Sequence, residues 1–477
     1  MNGLEEKLKV VNEKREWPNG LVLKFIHLVE YDDDDSLYRM NPYTIASKWQ
    51  YSTSDCIDFF LHCSRESILI LNWRLICSRC GDSIEDFRKL KDFHSHFYCT
   101  FCRREYESYL DDYILVDFTI HPTVRKIKFH NPNELSLEDF YYKYHFSREG
   151  HFPGSRLLLT DWLKSLELSL VDVKENSKQI VKFQTKPGYV IVNNLMLGSE
   201  FYYSTNEEEK VTASELTISF DGKQIRGPEN AVLKSGENTI YFENASQSNL
   251  PLAFFQMGQD FLTSEFQLEF DPFLTGKQLI TNKTYNQLFQ TEAVIGPDAL
   301  KIRDLTFFFS DLKGSTALYE RIGDIKAFSL VQSHFEEIAK VIKEYNGYFV
   351  KTIGDAIMAV FLNANDAFVA SRLILEVIAE FNRRHHSNDI LLKIGIHRGP
   401  AIAVTLNEKI DYFGQTVNIA ARIQGLAEEN EICISKETGI QKANVSLSLG
   451  ESILEESVFV KGVVQPIDIL RFHKNAT

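Results

Sequence analysis

Residues 303–477 alternate between the hydrophobic periods of strand and helix, and this order restricts the possible folds more than any other feature of the chain. A continuous apolar run is typical of a buried strand, whereas steps of three and four place apolar residues on one helical face. Two strands that meet at Gly354 and Asp355 indicate a hairpin. In order, the segments are a strand at Leu305–Phe309, a helical stripe at 328, 331, 335, 338, 342 and 345, strands at Tyr348–Ile353 and Ala356–Phe361, a helix over Ala367–Phe381 and a strand at Leu391–Ile396. The sequence therefore predicts a ferredoxin-like βαββαβ domain.

Two aspartates lie at the ends of strands in this predicted sheet. Asp311 closes the first buried strand and Asp355 lies at the hairpin tip, so the fold can bring them together despite their separation in sequence. Carboxylates suit a hard cation such as Mg²⁺, although a lone aspartate at a strand end is more often a cap or a solvated turn residue. Directly after Asp311, the run Gly314–Thr316 opens a helix, whose free backbone amides favour phosphate.

Three sequence motifs in this region resemble the class III nucleotidyl cyclases. They are Phe309–Thr316 (FSDLKGST), Lys351–Asp355 (KTIGD) and Asp411–Arg422 (DYFGQTVNIAAR). The resemblance implies that Asp311, Leu312 and Asp355 hold two Mg²⁺ or Mn²⁺ ions, and that Gly314, Ser315 and Thr316 cradle the phosphates. The ions would help to deprotonate a ribose hydroxyl and to stabilise the phosphorus that it attacks.

The resemblance also assigns roles to residues of the second and third motifs. Lys351 and Asp411 match the adenine-reading pair, where guanylyl cyclases have glutamate and cysteine, so ATP is the expected substrate. Asn418 would orient the ribose, and Arg422, four residues later on the same helical side, would stabilise the phosphate charge. Lys461 corresponds to a lysine that contacts the terminal phosphates. Because the family's sites combine residues of two subunits, the resemblance further implies a homodimer with two equivalent sites.

The amino-terminal part, residues 1–112, is predicted to contain a winged-helix-like unit joined to a zinc ribbon. Asn41-Pro42 opens a helix that runs through Trp49, Ser52 caps the next helix, and Ile68–Ile76 has the composition of a strand. Cys77, Cys80, Cys99 and Cys102 form two C-x-x-C pairs that would give a closed, structural Zn²⁺ site. A redox pair or chance thiols are the alternatives, and His94 and His96, between the pairs, are more readily explained as surface residues.

Residues 113–275 contain short apolar runs separated by turn residues, which favour a β-sandwich or a small barrel. Such a domain could bind a ligand, bind a partner or act as a spacer. A connector, 276–302, includes one short helix at Tyr285–Phe289 and precedes the catalytic domain, 303–477. The whole chain is therefore expected to be an α+β multidomain protein whose first three parts regulate the fourth in response to an unknown effector.

Net charge and hydrophobicity argue against several classes of partner and location. A net charge of −14 disfavours general attraction to nucleic acid or anionic lipid. The sequence has no apolar stretch of membrane-spanning length and no secretory signal at its start, so we expect a cytoplasmic protein. The leading hypothesis is an adenylate cyclase that makes 3′,5′-cyclic AMP and pyrophosphate. The alternatives are a cyclase for GTP or a pyrimidine nucleotide, and a DNA-binding regulator with a nucleotide-sensing cyclase domain.

Overall fold

The chain forms two compact units in the computed structural model, one drawn from residues 1–87, 96–108 and 115–274 and the other chiefly from residues 275–477. The structure describes residues 2–474, apart from 88–95, 100–103, 108–112, 195–198, 207–214, 229–230, 260–266, 290–299, 387–388, 407–408, 442–444, 446–450 and 464. Within these described ranges, no helix has the length and apolar character needed to cross a membrane.

The first unit begins with helices and continues mainly as strands. Its helices are α1 (Asn2–Lys14), α2 (Leu21–Tyr31), α3 (Pro42–Trp49), α4 (Thr53–Arg65) and α5 (Leu159–Ser165), with 3₁₀ turns at Lys128–His130 and Pro132–Glu134 and a π-helical segment at Asp139–His145. Its strands are β1 (Leu69–Ile76), β2 (Ser83–Phe87), β3 (His96–Cys99), β4 (Arg104–Glu107), β5 (Ile114–Ile120), β6 (Gly150–His151), β7 (Glu167–Val173), β8 (Ser177–Thr185), β9 (Gly188–Asn194), β10 (Ser199–Asn206), β11 (Glu215–Phe220), β12 (Ile225–Arg226), β13 (Val232–Lys234), β14 (Gly236–Asn244), β15 (Leu250–Met257) and β16 (Glu269–Phe270). Strand β17 (Leu274–Thr275) follows at the border of the two units.

Local signals placed the first elements correctly. The side chain of Asn41 accepts a hydrogen bond from the backbone amide of Tyr43 and caps α3, while Ser52 caps α4 through the amide of Asp55. The predicted strand at Ile68–Ile76 is confirmed as β1. However, β5 lies beside β1 in one sheet, although the predicted domain border at 112/113 falls between these two strands. The structure therefore does not separate residues 1–112 from the segment that follows.

Two larger sheets share a hydrophobic core in the middle of the chain. Their strand orders are β13-β10-β9-β15-β7 and β12-β11-β14-β8. Phe254 of the first sheet packs against Phe183 and Phe242 of the second, with ring centroids 5.5 and 5.7 Å apart. The structure thus has two sheets around one core, and the β-sandwich and winged-helix assignments stay predictions.

The second unit alternates strands and helices as its sequence predicts. Its helices are α6 (Gly276–Ile280), α7 (Lys283–Leu288), α8 (Ser315–Ile322), α9 (Asp324–Glu344), α10 (Ala364–Arg384) and α11 (Gln415–Leu426). Its strands are β18 (Leu300–Leu312), β19 (Gly347–Ile353), β20 (Ala356–Phe361), β21 (Leu392–Leu406), β22 (Lys409–Phe413), β23 (Glu431–Ser435), β24 (Glu451–Val458) and β25 (Ile467–Lys474), with a 3₁₀ turn at Lys436–Thr438.

One sheet organises this unit, with strand order β19-β20-β18-β21-β23-β25-β24 and β22 paired to β21. The first four strands have the predicted ferredoxin-like order, and adjacent pairs among them are antiparallel. Ile432 and Ile434 of β23 belong to the core beneath α9 and α10, whereas Cys433 packs with Ile419 and Ile423 of α11. Because successive side chains of a strand face opposite sides, α11 covers the face opposite α9 and α10.

One predicted detail of this unit was wrong. Phe328 was assigned to the buried stripe of α9, but it is 58% exposed, and the buried face begins at Ala327 and Val331. Strand β18 begins at Leu300, before the predicted domain border at 303, because its pairing with β21 extends back to Leu300. The hairpin, helix α10 and the short helix near Tyr285 are confirmed.

Candidate active site

The register of the sheet brings Asp311 to the tip of the β19–β20 hairpin. Ser310 is paired with Ile357, so Asp311 follows beside Ala356 and Asp355. The turn itself requires Gly354, which has a positive φ of 65°. Burial first, and the charge of Asp355 second, raise the pKa of Asp311. Two carboxylates that repel one another at the edge of a buried strand suit a divalent cation, which would compensate their charge.

The segment after Asp311 forms the predicted phosphate loop. Gly314 has a positive φ of 74°, and α8 starts at Ser315 without a side-chain cap. The first backbone amides of α8 therefore point away from the helix with no intrahelical acceptor, as an anion site requires. Thr316 is exposed and Ser315 is half-buried, whereas the Leu312 side chain is buried in the core. Leu312 could thus face a cation only through its backbone.

Lys351 and Asp411, which are separated by sixty residues, form an ion pair. Lys351 Nζ lies 2.6 Å from Asp411 Oδ2, and the other carboxylate oxygen accepts a hydrogen bond from the backbone amide of Tyr412. Strand β19 carries Lys351, while β22 presents Asp411 through its pairing with β21. The Lys351 side chain is 41% exposed and that of Asp411 is 12% exposed, so the pair stands at the surface with its carboxylate anchored.

Helix α11 carries the remaining two predicted side chains on one exposed side. Asn418 and Arg422 are both exposed, one turn apart. The guanidinium of Arg422 donates to the backbone carbonyl of Lys461, which brings the predicted phosphate-binding lysine next to the predicted transition-state arginine. This helix lies directly on β21, since a Cβ built on Gly395 would approach within 2.5 Å of Gln424 Cα.

The predicted site residues therefore fall into three groups. Asp311 and Asp355 form one group with the loop at Gly314–Thr316, Lys351 and Asp411 form the second, and Asn418, Arg422 and Lys461 form the third. Among the residues that the structure describes, no hydrogen bond or ion pair joins the aspartate group to either of the others.

Sequence reasoning missed two residues near the aspartates. Lys393 of β21 is directly paired with Asp311, and its charge favours the ionised carboxylate. His334 of α9 is 1% exposed, and burial lowers its pKa to about 4 although the charge of Asp355 acts in the opposite direction. Lys393 could not have been found from local sequence, because strand pairing is nonlocal. His334 is buried on the same face of α9 as its neighbour Phe335, so the helical pattern could have pointed to it.

Three of the four predicted zinc ligands meet in the first unit. The sulfur atoms of Cys77, Cys80 and Cys99 all lie within 4.8 Å of one another, and those of Cys80 and Cys99 are 3.6 Å apart. A tetrahedral zinc ion with four thiolates holds its sulfurs about 3.8 Å apart, so this spacing fits the metal. Cys102 and His94 lie outside the described residues, as does the side chain of His96.

A buried carboxylate adjoins this cysteine cluster. Asp82 Oδ2 lies 3.6 Å from Cys99 Sγ, and Asp82 Oδ1 lies 2.8 Å from His145 Nε2 at the end of the π-helical segment. Asp82 is 2% exposed, so both contacts are made within the protein interior. The cluster is thereby joined to a segment more than forty residues further along the chain.

Comparison with protein families divides the chain near residue 290. Residues 1–287 match a family of unknown function, DUF5939, and residues 298–462 match the Adenylate and Guanylate cyclase catalytic domain. An adenylate cyclase from Anabaena cylindrica is 31% identical over 186 residues, which are 36% of this chain and 37% of that protein. Atrial natriuretic peptide receptor 2 from Anguilla japonica is 31% identical over 173 residues, 34% of this chain and 16% of the receptor.

Similar solved structures include the adenylyl cyclase CyaB from P. aeruginosa, 23% identical, and the guanylate cyclase domain of RhGC from Catenaria anguillulae, 24% identical. Each covers 37% of this chain and nearly all of the solved chain, 97% and 99%, with a TM-score of 0.32. The chain covers 37% of the length of the Anabaena cylindrica cyclase and 16% of the length of the receptor. The matched family model covers both adenylate and guanylate cyclases, which leaves the choice between ATP and GTP open.

Proposed function

Because the chain belongs to the DUF5939 family and carries a class III nucleotidyl cyclase catalytic domain, we propose that it is an adenylate cyclase that converts ATP into 3′,5′-cyclic AMP and pyrophosphate. The reaction requires deprotonation of the ribose 3′ hydroxyl, stabilisation of the phosphorus that it attacks and neutralisation of the leaving pyrophosphate. The aspartate group with its loop and the Asn418–Arg422–Lys461 group suit these three tasks, and the Lys351–Asp411 pair suits recognition of the base.

The observation that supports ATP is the ion pair between Lys351 and Asp411. An ammonium can donate a hydrogen bond to N1 of adenine, and a carboxylate can accept one from the 6-amino group. Guanine has the opposite polarity at this edge, so the same pair would leave hydrogen-bonding groups unsatisfied. A site built for such hydrogen bonds discriminates strongly, by roughly 10⁴-fold in favourable cases.

The experiment that tests the substrate compares kcat/KM for all four nucleoside triphosphates with the full chain and Mg²⁺ or Mn²⁺. We expect ATP to be preferred, and the double variant Lys351→Glu/Asp411→Cys to move the preference towards GTP. Lys326→Gln, an exposed lysine on α9, is the control. A wild-type preference for GTP or for a pyrimidine nucleotide would refute the assignment to ATP.

Asp311 and Asp355 would hold the two Mg²⁺ or Mn²⁺ ions, together with the backbone of Leu312. When bound, such ions act as Lewis acids on the phosphate oxygens and increase the acidity of the attacking hydroxyl. The amides at Gly314–Thr316 would receive the phosphates, and Arg422, which is permanently charged, would stabilise the negative charge that develops on them. Asn418, one turn before Arg422, would orient the ribose.

We further propose a homodimer, in which residue groups that no hydrogen bond or ion pair joins within the described part of one chain act together across two copies. If Asp311 and Asp355 act with Arg422 of a second copy, two inactive variants should complement one another. Asp355→Ala and Arg422→Ala, mixed in equal amounts, would form mixed dimers with one intact site, which predicts about a quarter of the wild-type activity. Mixtures as inactive as the separate variants would show that each site uses one chain.

The cysteine cluster is proposed to be a structural zinc site with Cys77, Cys80, Cys99 and Cys102 as ligands. Its buried thiols are spaced as the ligands of a tetrahedral ion, and an all-cysteine set leaves no open position for catalysis. Metal analysis of the purified chain should give one zinc per chain.

The first unit is proposed to regulate the cyclase domain in the cytoplasm, in response to an effector that its sequence does not identify. The experiment compares turnover of the full chain with that of residues 276–477. Altered kinetics in the shorter form support a regulatory first unit, and identical kinetics exclude it.

A further inference from the structure

The second unit contains a cavity of about 610 Å³, and Lys351 is the one residue of the predicted site that lines it. Helix α7, the last turns of α9 and strand β19 form its walls. Its volume lies within the range of about 300–1,000 Å³ in which proteins bind small molecules. The lining residues are Lys283, Asn286, Gln287, Ala339, Ile342, Lys343, Gly347, Tyr348, Phe349, Val350, Lys351 and Thr352.

The charged residues that line the cavity are all basic. Three lysines belong to it, and none of its twelve residues is acidic, although the chain as a whole has a net charge of −14. Lys351 is paired with Asp411, but within the described part of the chain neither Lys283 nor Lys343 has an ion pair or a side-chain hydrogen bond. The side-chain amide of Gln287 adds a further donor, whereas that of Asn286 already donates to the backbone carbonyls of Ile280 and Asn282. The cavity is therefore suited to an anion that carries several charged oxygens.

The lining of the cavity draws on both matched regions of the chain. Lys283 and Gln287 lie within the match to the family of unknown function, which ends at residue 287, while Lys343 and Lys351 lie within the match to the cyclase domain. The cavity wall β19 also carries Lys351, so an anion bound there would compete with Asp411 for the ammonium group.

We propose that this cavity, the α7 cavity, is an effector site for a small phosphate-bearing anion, up to the size of a nucleotide. Lysine ammonium groups bind phosphate as point charges, and the apolar side chains of Ile342 and Phe349 leave room for an uncharged part of the ligand. Binding here needs neither Asp311 nor Asp355, and the cavity shares only Lys351 with the proposed catalytic site.

Binding of inorganic pyrophosphate tests the proposal. Calorimetry on the full chain, in the Asp355→Ala background and without divalent metal, removes binding at the catalytic aspartates from the measurement. An ionic strength of about 0.15 M limits nonspecific attraction, since charges more than about 8 Å apart are then screened. We expect saturable binding that weakens at least about tenfold in Lys283→Gln/Lys343→Gln, and no such change in the matched control Lys326→Gln/Lys340→Gln, which loses the same charge on α9 outside the cavity.

Absence of pyrophosphate binding, or equal weakening by both double variants, would overturn the proposal. Equal affinity for citrate, a carboxylate anion of similar charge, would overturn the assignment to phosphate. None of these results depends on nucleotide turnover, so failure of this site and failure of the proposed adenylate cyclase activity are distinguishable.

Discussion

The close approach of α11 to β21 at Gly395 predicts a large effect from one methyl group. An alanine Cβ at this position would lie 2.5 Å from Gln424 Cα and 2.6 Å from Gln424 Cβ. The backbone nitrogen of Gln424 would be closer still, so the helix backbone would have to withdraw by about 1.1 Å to reach 3.4 Å, where ordinary contact begins. Overpacking of this kind costs about 1–3 kcal/mol of unfolding free energy.

The same displacement should impair catalysis beyond the loss of stability. Helix α11 carries Asn418 and Arg422, and a misplacement of about 1 Å can cost on the order of 10²-fold in rate. We therefore expect Gly395→Ala to lower the melting temperature and to reduce kcat far below that of the wild-type chain at a temperature where both remain folded.

Gly425→Ala is the matched control on the same helix. No atom lies within 4 Å of its added Cβ, and alanine is favoured over glycine in a helix by about 0.5–1 kcal/mol, so this variant should be as stable as the wild type or slightly more stable. Thermal unfolding followed by circular dichroism and cyclic nucleotide formation give the two readouts. If Gly395→Ala matched Gly425→Ala in both, the direct packing of α11 on β21 would be refuted.

Three further predictions concern the other groups. Asp311→Asn should reduce turnover by on the order of 10²-fold or more, yet raise the metal-free melting temperature at neutral pH. Burial and the charge of Asp355 raise the pKa of Asp311, so its ionised form costs folding free energy that the asparagine does not. The gain in melting temperature should shrink as the pH falls towards 3.8, and a gain independent of pH would contradict this reasoning. Cys80→Ser should lose bound zinc by elemental analysis, whereas Cys433→Ser should keep it, and full zinc in both variants would exclude the cysteine site. Arg422→Ala should lower kcat on the order of 10²-fold with little change in KM, whereas Arg321→Ala, an exposed arginine paired with Asp389, should leave both unchanged; equal loss in the two variants would argue against a role in the transition state.

Local sequence signals correctly predicted helices and strands in both units. The hairpin at Gly354 and Asp355, the caps of α3 and α4 and the stripes of α9 and α10 each depend on residues that are close in sequence. Periodicity fixes which face of a helix is buried, but not where burial ends. Phe328 therefore continued the apolar pattern of α9, although its side chain is exposed.

Features that depend on distant pairing were not accessible in this way. The neighbouring position of β5 and β1, and that of Lys393 and Asp311, follow from the register of whole sheets, which periodicity within a strand does not encode. The meeting of Lys351 with Asp411 came from the resemblance to cyclases rather than from residue spacing. The structure adds the distance and the anchored carboxylate.

Helices α6 and α7 belong to the second compact unit, although the match to the family of unknown function extends through residue 287. Anyone who grafts a foreign sensor onto this cyclase domain by cutting at the family border would discard a structural part of the recipient. A junction before Thr275 keeps both helices with β19 and its lysine. A chimaera joined before α6 and one joined after α7 should therefore differ sharply in cyclase activity, even though both retain every catalytic side chain.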